Sequence, residues 1–211
     1  MNRHETLIPL LEHHAERAER GEQYNAIANC HADGMDSIVL HDEPGNRVRM
    51  FFADWHHVLH RNRNGEFSIA IHAHHCDIRL VGLFGAARND VYAITPHPSG
   101  PFAEMAYSSG VSSESSLLPT GQRAFAHLLR SELLEATVKL RAHEMHTIHL
   151  AEDVRAAWLV IEGAEDAEYR SVCWSNAKRP FDPSGLYQPM DSAAVAKRLR
   201  EVLSKIAGAS A

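Results

Sequence analysis

The stretch FSIAIHAHHCDIRLVGLFG, residues 67–85, places three histidines, a cysteine and an aspartate between two apolar runs. From Phe67 to Ile71, large apolar residues alternate with smaller ones, which is the two-residue period of a β-strand. Side chains two residues apart on a strand share a face, so His72 and His74 point the same way and can bind one metal ion together. His75 points the opposite way unless a bulge intervenes. Imidazole ligands suit iron, zinc, copper or nickel.

A third ligand must come from elsewhere, and VKLRAHEMHTIHL, residues 138–150, offers His143, His146 and His149. The zinc-protease motif HExxH is not present, because position 147 is Thr. The β-branched residues at 147 and 148 favour a strand over a helix. On a strand, His146 and His149 lie on opposite faces, so at most one of these two serves the site. The spacing alone does not choose the third ligand.

Composition predicts an ordinary globular chain with one sizeable core. The chain has 211 residues, 45% of them hydrophobic, and a net charge of -6, which argues against a nucleic-acid partner. No apolar run approaches the roughly 18 residues of a membrane span, and the N-terminus lacks the pattern of a signal peptide. Three distant cysteines, Cys30, Cys76 and Cys173, predict reduced thiols in a cytoplasmic protein.

Periodicity predicts a helix at each end and many short strands between them. Apolar residues recur at three-and-four spacing from Glu5 to Arg20, and Asp191 is the predicted N-cap of a second helix. The segment 119–135 is ambiguous, because its periodicity suits a helix and its location suits strands. We expect a helical segment at 1–36, a β-barrel or double-sheet jelly roll at 37–174, and an arm with a helix at 175–211.

The two histidine-rich stretches resemble the two motifs of the cupin superfamily over residues 37–163. HAHHCDIRLVGLFG is similar to the first motif, in which HxH is followed by an acidic residue and a closing glycine, and more narrowly to cysteine-dioxygenase-like cupins. The matching positions are His72, His74, Asp77 and Gly85. The stretch from Val138 to Gly163 is similar to the second motif, and this match selects His146. The glutamate ligand usual in the first motif has no obvious counterpart.

The resemblance implies an all-β, cupin-type double-stranded β-helix (a jelly roll) with terminal helices. It also implies a divalent metal, Fe(II) in the first place, with Zn or Ni as alternatives, bound by His72, His74 and His146. Cupins of this subgroup bind a thiolate and O₂ at such a site. The implied activity is therefore an iron(II) dioxygenase that acts on a small thiol or organic acid. Asp77 is implied as a fourth ligand or as a partner that orients a histidine.

Further candidates follow from the chemistry of that reaction. Tyr92 and Tyr107 are candidate hydrogen-bond donors to bound oxygen, and Arg79 and Arg141 are the nearest arginines in sequence that could hold a substrate carboxylate. Cys76 is interpreted as a small buried thiol.

Other functions stay open at this stage. Cupins also include isomerases, decarboxylases and non-catalytic binding modules, so the fold does not decide the reaction. The histidines could also be core residues that bind no metal. The expected partners are a small-molecule substrate and O₂, with no nucleic acid and no membrane, and a homodimer is a further expectation.

Overall fold

The computed structural model describes residues 3–31, 34–54, 70–107, 117–135, 137–150, 154–166, 172–176 and 187–208. These described residues form a helix at each end and thirteen strands between them. The helices are α1 (Arg3–Glu19) and α2 (Ser192–Gly208). The strands are β1 (Ala26–Ala28), β2 (Met35–Glu43), β3 (Asn46–Asp54), β4 (Ile71–His72), β5 (Ile78–Phe84), β6 (Ala87–Pro96), β7 (Phe102–Tyr107), β8 (Leu117–Leu133), β9 (Thr137–Leu140), β10 (Met145–Leu150), β11 (Arg155–Glu162), β12 (Val172–Asn176) and β13 (Gln188–Pro189).

Eight strands form a nested series of antiparallel pairs: β3 with β11, β4 with β10, β5 with β9, and β6 with β8. Successive pairs alternate between two sheets. The order β3-β11-β5-β9 belongs to the first sheet, and β4, β10, β6 and β8 are neighbours in the second, which β12 and β7 close into a ring. A long hairpin wound in this way is a double-stranded β-helix, so the predicted all-β jelly roll is confirmed.

The first sheet draws on all three predicted segments of the chain. Strand β1 and the start of β2 lie within segment 1–36, and β13 lies within 175–211, yet these strands extend the first sheet beyond β3 in the order β13-β1-β2-β3. The barrel therefore continues into both terminal segments.

The two helices pack together on the outer face of the first sheet. Glu19 of α1 accepts two hydrogen bonds of 2.8 Å from Arg200 of α2. Asp191 caps α2 as predicted, because its Oδ1 accepts a hydrogen bond of 2.7 Å from the Ala194 N–H. Neither helix of the described chain is long and apolar enough to cross a membrane. The shared core includes Leu11, Ala15, Met50, Phe52, Leu159, Val195, Leu199 and Val202.

Residues 119–133 of the ambiguous segment belong to strand β8, so the helical alternative is wrong. Strand β8 pairs with β7 over its first half and with β6 over its second half. A bulge at Leu129, where Val91 faces Arg130 and Tyr92 faces Leu128, interrupts the two-residue alternation. This one-residue shift produces the apparent helical period, because it moves apolar residues out of the regular alternation of a strand.

Two turns at the ends of strands require glycine. Pro44 and Gly45 form the two-residue loop between β2 and β3, with Glu43 opposite Asn46 and a φ of 74° at Gly45. This is the residue order of a type II turn. Gly85 ends β5 with a φ of 79°, and a Cβ there would collide with the backbone of Arg155. Gly85 therefore closes the strand as the first motif implies.

Gly82, in the middle of β5, provides a test of this packing. A Cβ at this position would overlap the carbonyl group of Leu134. We expect Gly82→Ala to lower the free energy of unfolding by about 1–3 kcal/mol, because the backbone must shift. Urea denaturation measures the change. Gly208→Ala is the control, since nothing lies within 4 Å of a Cβ there; equal losses in both variants would contradict the close approach of β5 and Leu134.

Candidate metal centre

Three histidine rings meet where β4 and β10 pair. His72 ends β4, His74 follows two residues later, and His146 in β10 lies directly opposite His72. The ring centroids are 4.6 Å apart for His72 and His146, 5.1 Å for His72 and His74, and 5.2 Å for His74 and His146. Each ring offers a nitrogen, and these atoms lie within 4.8 Å of one another. The structure thus brings the three predicted ligands together in a cluster that can hold a metal.

Hydrogen bonds fix the outer nitrogens of two of these rings. His72 Nδ1–H donates to the Ala70 carbonyl oxygen at 2.9 Å, and His146 Nδ1–H donates to Asn89 Oδ1 at 2.7 Å. A carbonyl oxygen only accepts, so both rings carry their proton on Nδ1 and keep a lone pair on Nε2. Partners of this kind set the tautomer and orientation of metal-binding imidazoles.

The inner nitrogens have the spacing of ligands that share one ion. His74 Nε2 and His146 Nε2 are 3.2 Å apart. With metal–nitrogen bonds of about 2.0–2.1 Å, two imidazoles on one ion have their nitrogens about 2.9–3.4 Å apart. Two lone pairs that face each other at this distance repel unless a proton or a cation lies between them. The donor set therefore fits a first-row divalent metal.

The cluster has the composition of an open metal site. Within the described ranges, no carboxylate or thiol joins the three imidazoles. Catalytic sites commonly have three protein ligands and leave a position for water or substrate, whereas structural sites are usually closed by four. This geometry can present a bound ion to a small molecule.

Burial keeps the three imidazoles neutral. It lowers the pKa of His72, and it holds the pKa of His74 and His146 well below the ordinary value of histidine. The neighbouring histidines lower the pKa of the latter two further, because a second positive charge would be repelled. Neutral imidazole is the form that binds metal, so the cluster is ready to do so at neutral pH.

His31 and Tyr187 form one side of the site, and no motif in the sequence indicates either of them. The His31 ring stacks on His72 with centroids 5.3 Å apart, and its Nδ1 lies 3.2 Å from the Tyr187 hydroxyl. Both residues have positive φ, 66° and 57°, as does Asn29 at 54°, whose carbonyl accepts the Tyr187 N–H. Each such residue costs about 1–3 kcal/mol, and strain of this kind concentrates at functional sites.

Arg49 brings a positive charge near the cluster. It shares a face of β3 with Phe51, whose ring stacks on His31 with centroids 6.3 Å apart. Its buried Nε lies 3.3 Å from Glu162 Oε1 but makes no hydrogen bond in that geometry. Burial and the neighbouring histidines lower the pKa of His31 and His74, and the charge of Arg49 adds to this effect. Arg49 is distant in sequence from both histidine motifs, so neither motif indicates it.

The three alternative histidines lie outside the cluster. His75 Nε2 is 3.2 Å from a Glu165 carboxylate oxygen, and His143 Nε2 is 3.2 Å from Asp166. His149 Nε2 is 3.1 Å from Asp90. Each of these rings points toward a carboxylate, so none of them replaces His72, His74 or His146. The side chain of Tyr107 lies outside the described residues.

The structure does not bring Asp77, Arg79 and Tyr92 to the cluster. Asp77 is exposed, and its Oδ1 accepts a hydrogen bond of 2.7 Å from the Ala142 N–H. Arg79 is exposed on β5 between two buried neighbours, so it faces away from the barrel interior. Tyr92 is opposite Met145, one residue from His146, and therefore lies on the other face of the second sheet. Their catalytic roles stay predictions, and the three-histidine cluster forms without them.

Three described cysteines are buried and unpaired by disulfides. Burial raises the pKa of Cys30 and Cys173 to about 12 and that of Cys76 to about 11. The reactive thiolate is therefore scarce at neutral pH. Cys76 has the environment of a small buried thiol.

Comparison with known proteins gives matches among solved structures. No protein-family model and no curated protein matches the chain. A cupin superfamily protein from Desulfitobacterium hafniense is 13% identical, with 64% of this chain and 81% of that chain covered and a TM-score of 0.32. A cupin domain from Bordetella pertussis is 12% identical, with coverages of 63% and 95% and a TM-score of 0.31.

An oxalate decarboxylase from Bacillus subtilis is 13% identical, with a TM-score of 0.35. The match covers 67% of this chain but 28% of the decarboxylase. At these identities and scores, nothing about activity follows from the neighbours. The assignment of the fold rests on the nested strand pairs, and the functional argument rests on the site.

Asn89 offers a test of the metal centre that leaves all three ligands in place. Asn89→Ala removes the acceptor for His146 Nδ1–H, and we expect metal affinity to fall about 10–100-fold, as is usual for such partners. Asn89→Asp keeps an acceptor and should restore binding. Elemental analysis and competition with a metallochromic chelator measure both variants.

Two controls accompany this measurement. His72→Ala removes a ligand and should reduce the metal content at purification, whereas Asn25→Ala, at an exposed position, should change nothing. Unchanged affinity in Asn89→Ala, in a protein that remains folded by circular dichroism, would show that the hydrogen bond to His146 does not support metal binding.

Proposed function

We propose that this chain is a mononuclear, metal-dependent enzyme of the cupin type that oxidises a small thiol with O₂. The observation that carries the proposal is the convergence of three neutral imidazoles on one point, with no fourth ligand among the described side chains. His72, His74 and His146 would hold the Fe(II), which would supply the redox chemistry that joins a thiolate to O₂. The overall reaction is R–SH + O₂ → R–SO₂H, in which both oxygen atoms are transferred to sulfur.

The thiol-oxidising assignment is supported by the similarity of HAHHCDIRLVGLFG to cysteine-dioxygenase-like cupins. Three imidazoles suit several first-row metals equally well. Iron(II) is therefore proposed from the same similarity and not from the ligand set. The protein contributes fixed positions to this chemistry: Asn89 and the Ala70 carbonyl orient two of the ligand rings. The paired His31 and Tyr187 present polar atoms beside His72, where they can contact a bound substrate.

Arg49 is proposed as the residue that holds an acidic group of the substrate. It is the cation whose charge reaches His31 and His74 from inside the barrel. Its buried Nε lies 3.3 Å from Glu162 Oε1 without forming a hydrogen bond in that geometry, so a substrate carboxylate would supply the acceptor that Glu162 does not. Arg79 and Arg141 line the outer surface instead. A small thiol that carries a carboxylate is therefore the favoured substrate class.

Oxygen consumption by the iron-loaded protein tests the reaction. We expect uptake of one O₂ for each sulfinate formed with cysteine or 3-mercaptopropionate, and loss of uptake in His74→Ala, which lacks one of the three ligands. An oxygen electrode and mass spectrometry of the product measure both quantities. A protein that binds one metal ion per chain but consumes no O₂ with either thiol would contradict the proposal. It would instead indicate a binding module or a cupin with a different reaction, such as an isomerase or a decarboxylase.

Substitution of Arg49 separates binding of the acidic group from the oxidation itself. We expect Arg49→Gln to raise KM for carboxylate-bearing thiols about 10–100-fold, since a charge-assisted hydrogen bond contributes about 1.5–3 kcal/mol. Cysteamine, which has no carboxylate, should be affected little. Arg79→Gln is the matched control on a neighbouring part of the sheet. An equal or larger effect of Arg79→Gln would transfer the role to the arginine that the sequence predicts.

A further inference from the structure

A cleft of about 1080 Å³ opens at the end of β5 and β9, outside the metal centre. Arg79 of β5 lies directly opposite Lys139 of β9, so two positive charges are neighbours on the outer face of the sheet. Like charges at such a position destabilise a sheet, and nothing in the jelly roll requires them. Arg141, which follows β9, adds a third cation to the same cleft.

No ion pair joins these three cations to a described carboxylate, although the charge of Arg141 adds to that of Arg130 in lowering the pKa of Glu144. No described carboxylate lies within 4 Å of the side-chain nitrogens of Arg79, Lys139 or Arg141, whereas Arg130 in the same cleft pairs with Glu144 at 2.7 Å. Three cations without ion pairs are unusual in this chain, because its 27 acidic residues outnumber its 21 lysines and arginines.

The acidic residues that line the cleft already have partners. Asp77 accepts the Ala142 N–H at 2.7 Å. Glu144 accepts the Arg141 N–H at 2.6 Å as well as the bond from Arg130. Glu162 lies 3.3 Å from Arg49 and 3.5 Å from Arg47. Glu144 and Glu162 are therefore already paired with other arginines, and Asp77, which accepts a backbone N–H, forms no ion pair with any of the three cations.

The turn that carries Arg141 is held in one conformation. His143 has a φ of 70°, and its N–H donates to the His74 carbonyl at 3.1 Å. The Glu144 N–H donates to the Arg141 carbonyl at 3.2 Å. Arg141 is thus presented from a backbone whose shape is already set, which reduces the entropy cost of binding a ligand.

We infer that this cleft binds a small, multiply charged anion of the phosphate class, with Arg79, Lys139 and Arg141 as its contacts. Phosphate is matched by its charge and by its several acceptor oxygens, and arginine binds such groups through two N–H donors at once. The concave shape suits a free phosphate or phosphate ester rather than a flat surface. This site is separate from the metal centre, so it stands whether or not the proposed oxidation is found.

Titration calorimetry with pyrophosphate on the purified full-length chain tests the inference. We expect saturable binding with one site per chain, weakened at least tenfold by the double substitution Arg79→Gln and Lys139→Gln. Binding should also weaken with added salt, as exposed charges are screened. The double variant removes like-charge repulsion, so it should be no less stable than the parent chain.

Two controls make the result specific. The substitutions Lys197→Gln and Lys205→Gln remove the same charge from exposed positions of α2 and should leave binding unchanged. His74→Ala removes a metal ligand and should also leave it unchanged, whereas loss of binding in that variant would assign the phosphate to the metal centre. Absence of saturable binding, or equal binding to the cleft variant and the parent chain, would overturn the inference.

Discussion

The pairing of His146 with His72 across β10 and β4 is the contact on which the candidate site depends. Strand β4 has two residues, and His72 is opposite His146 on one side and Cys173 on the other. A slip of one residue would place Met145 or Thr147 opposite His72 and turn the imidazole of His146 to the other face. The extended pairing of β10 with β6, from Met145 to Leu150, fixes the register that the short β4 could not fix alone.

The ends of the chain complete this site. Strands β1 and β13 pair with each other at the edge of the first sheet, and His31 and Tyr187 lie just beyond them. The positive φ values of Asn29, His31 and Tyr187 are unfavourable for the local chain, so the surrounding structure must enforce them. The pairing of β1 with β13, the bond from the Tyr187 N–H to the Asn29 carbonyl and the bond from the Gly34 N–H to Asn29 Oδ1 hold these residues in place.

Local patterns were sufficient for part of this architecture. The alternation around His72 and His74 correctly predicted a shared face, and β-branched residues correctly placed His146 on a strand. Asn89, His31 and Arg49 could not be predicted, because contacts between distant parts of the chain bring each of them to the site. Asn89, for example, is bonded to His146, which lies 57 residues away in sequence. Arg79 is the opposite case: it is near the histidines in sequence, but the alternation of β5 turns it outward.

The turn from Arg141 to Glu144 connects the two regions that we assign to binding. One of its N–H groups is bonded to the His74 carbonyl, another to the Asp77 carboxylate, and the next residues lead into His146. Ligand rings held by a metal would therefore restrain the turn at His143 and beyond Glu144, and an anion at Arg141 would restrain its first residue. Because a free-energy coupling between two sites is reciprocal, any effect of the anion on metal affinity must equal the effect of metal on anion affinity. The short length of the turn makes it the structural element through which such coupling would act.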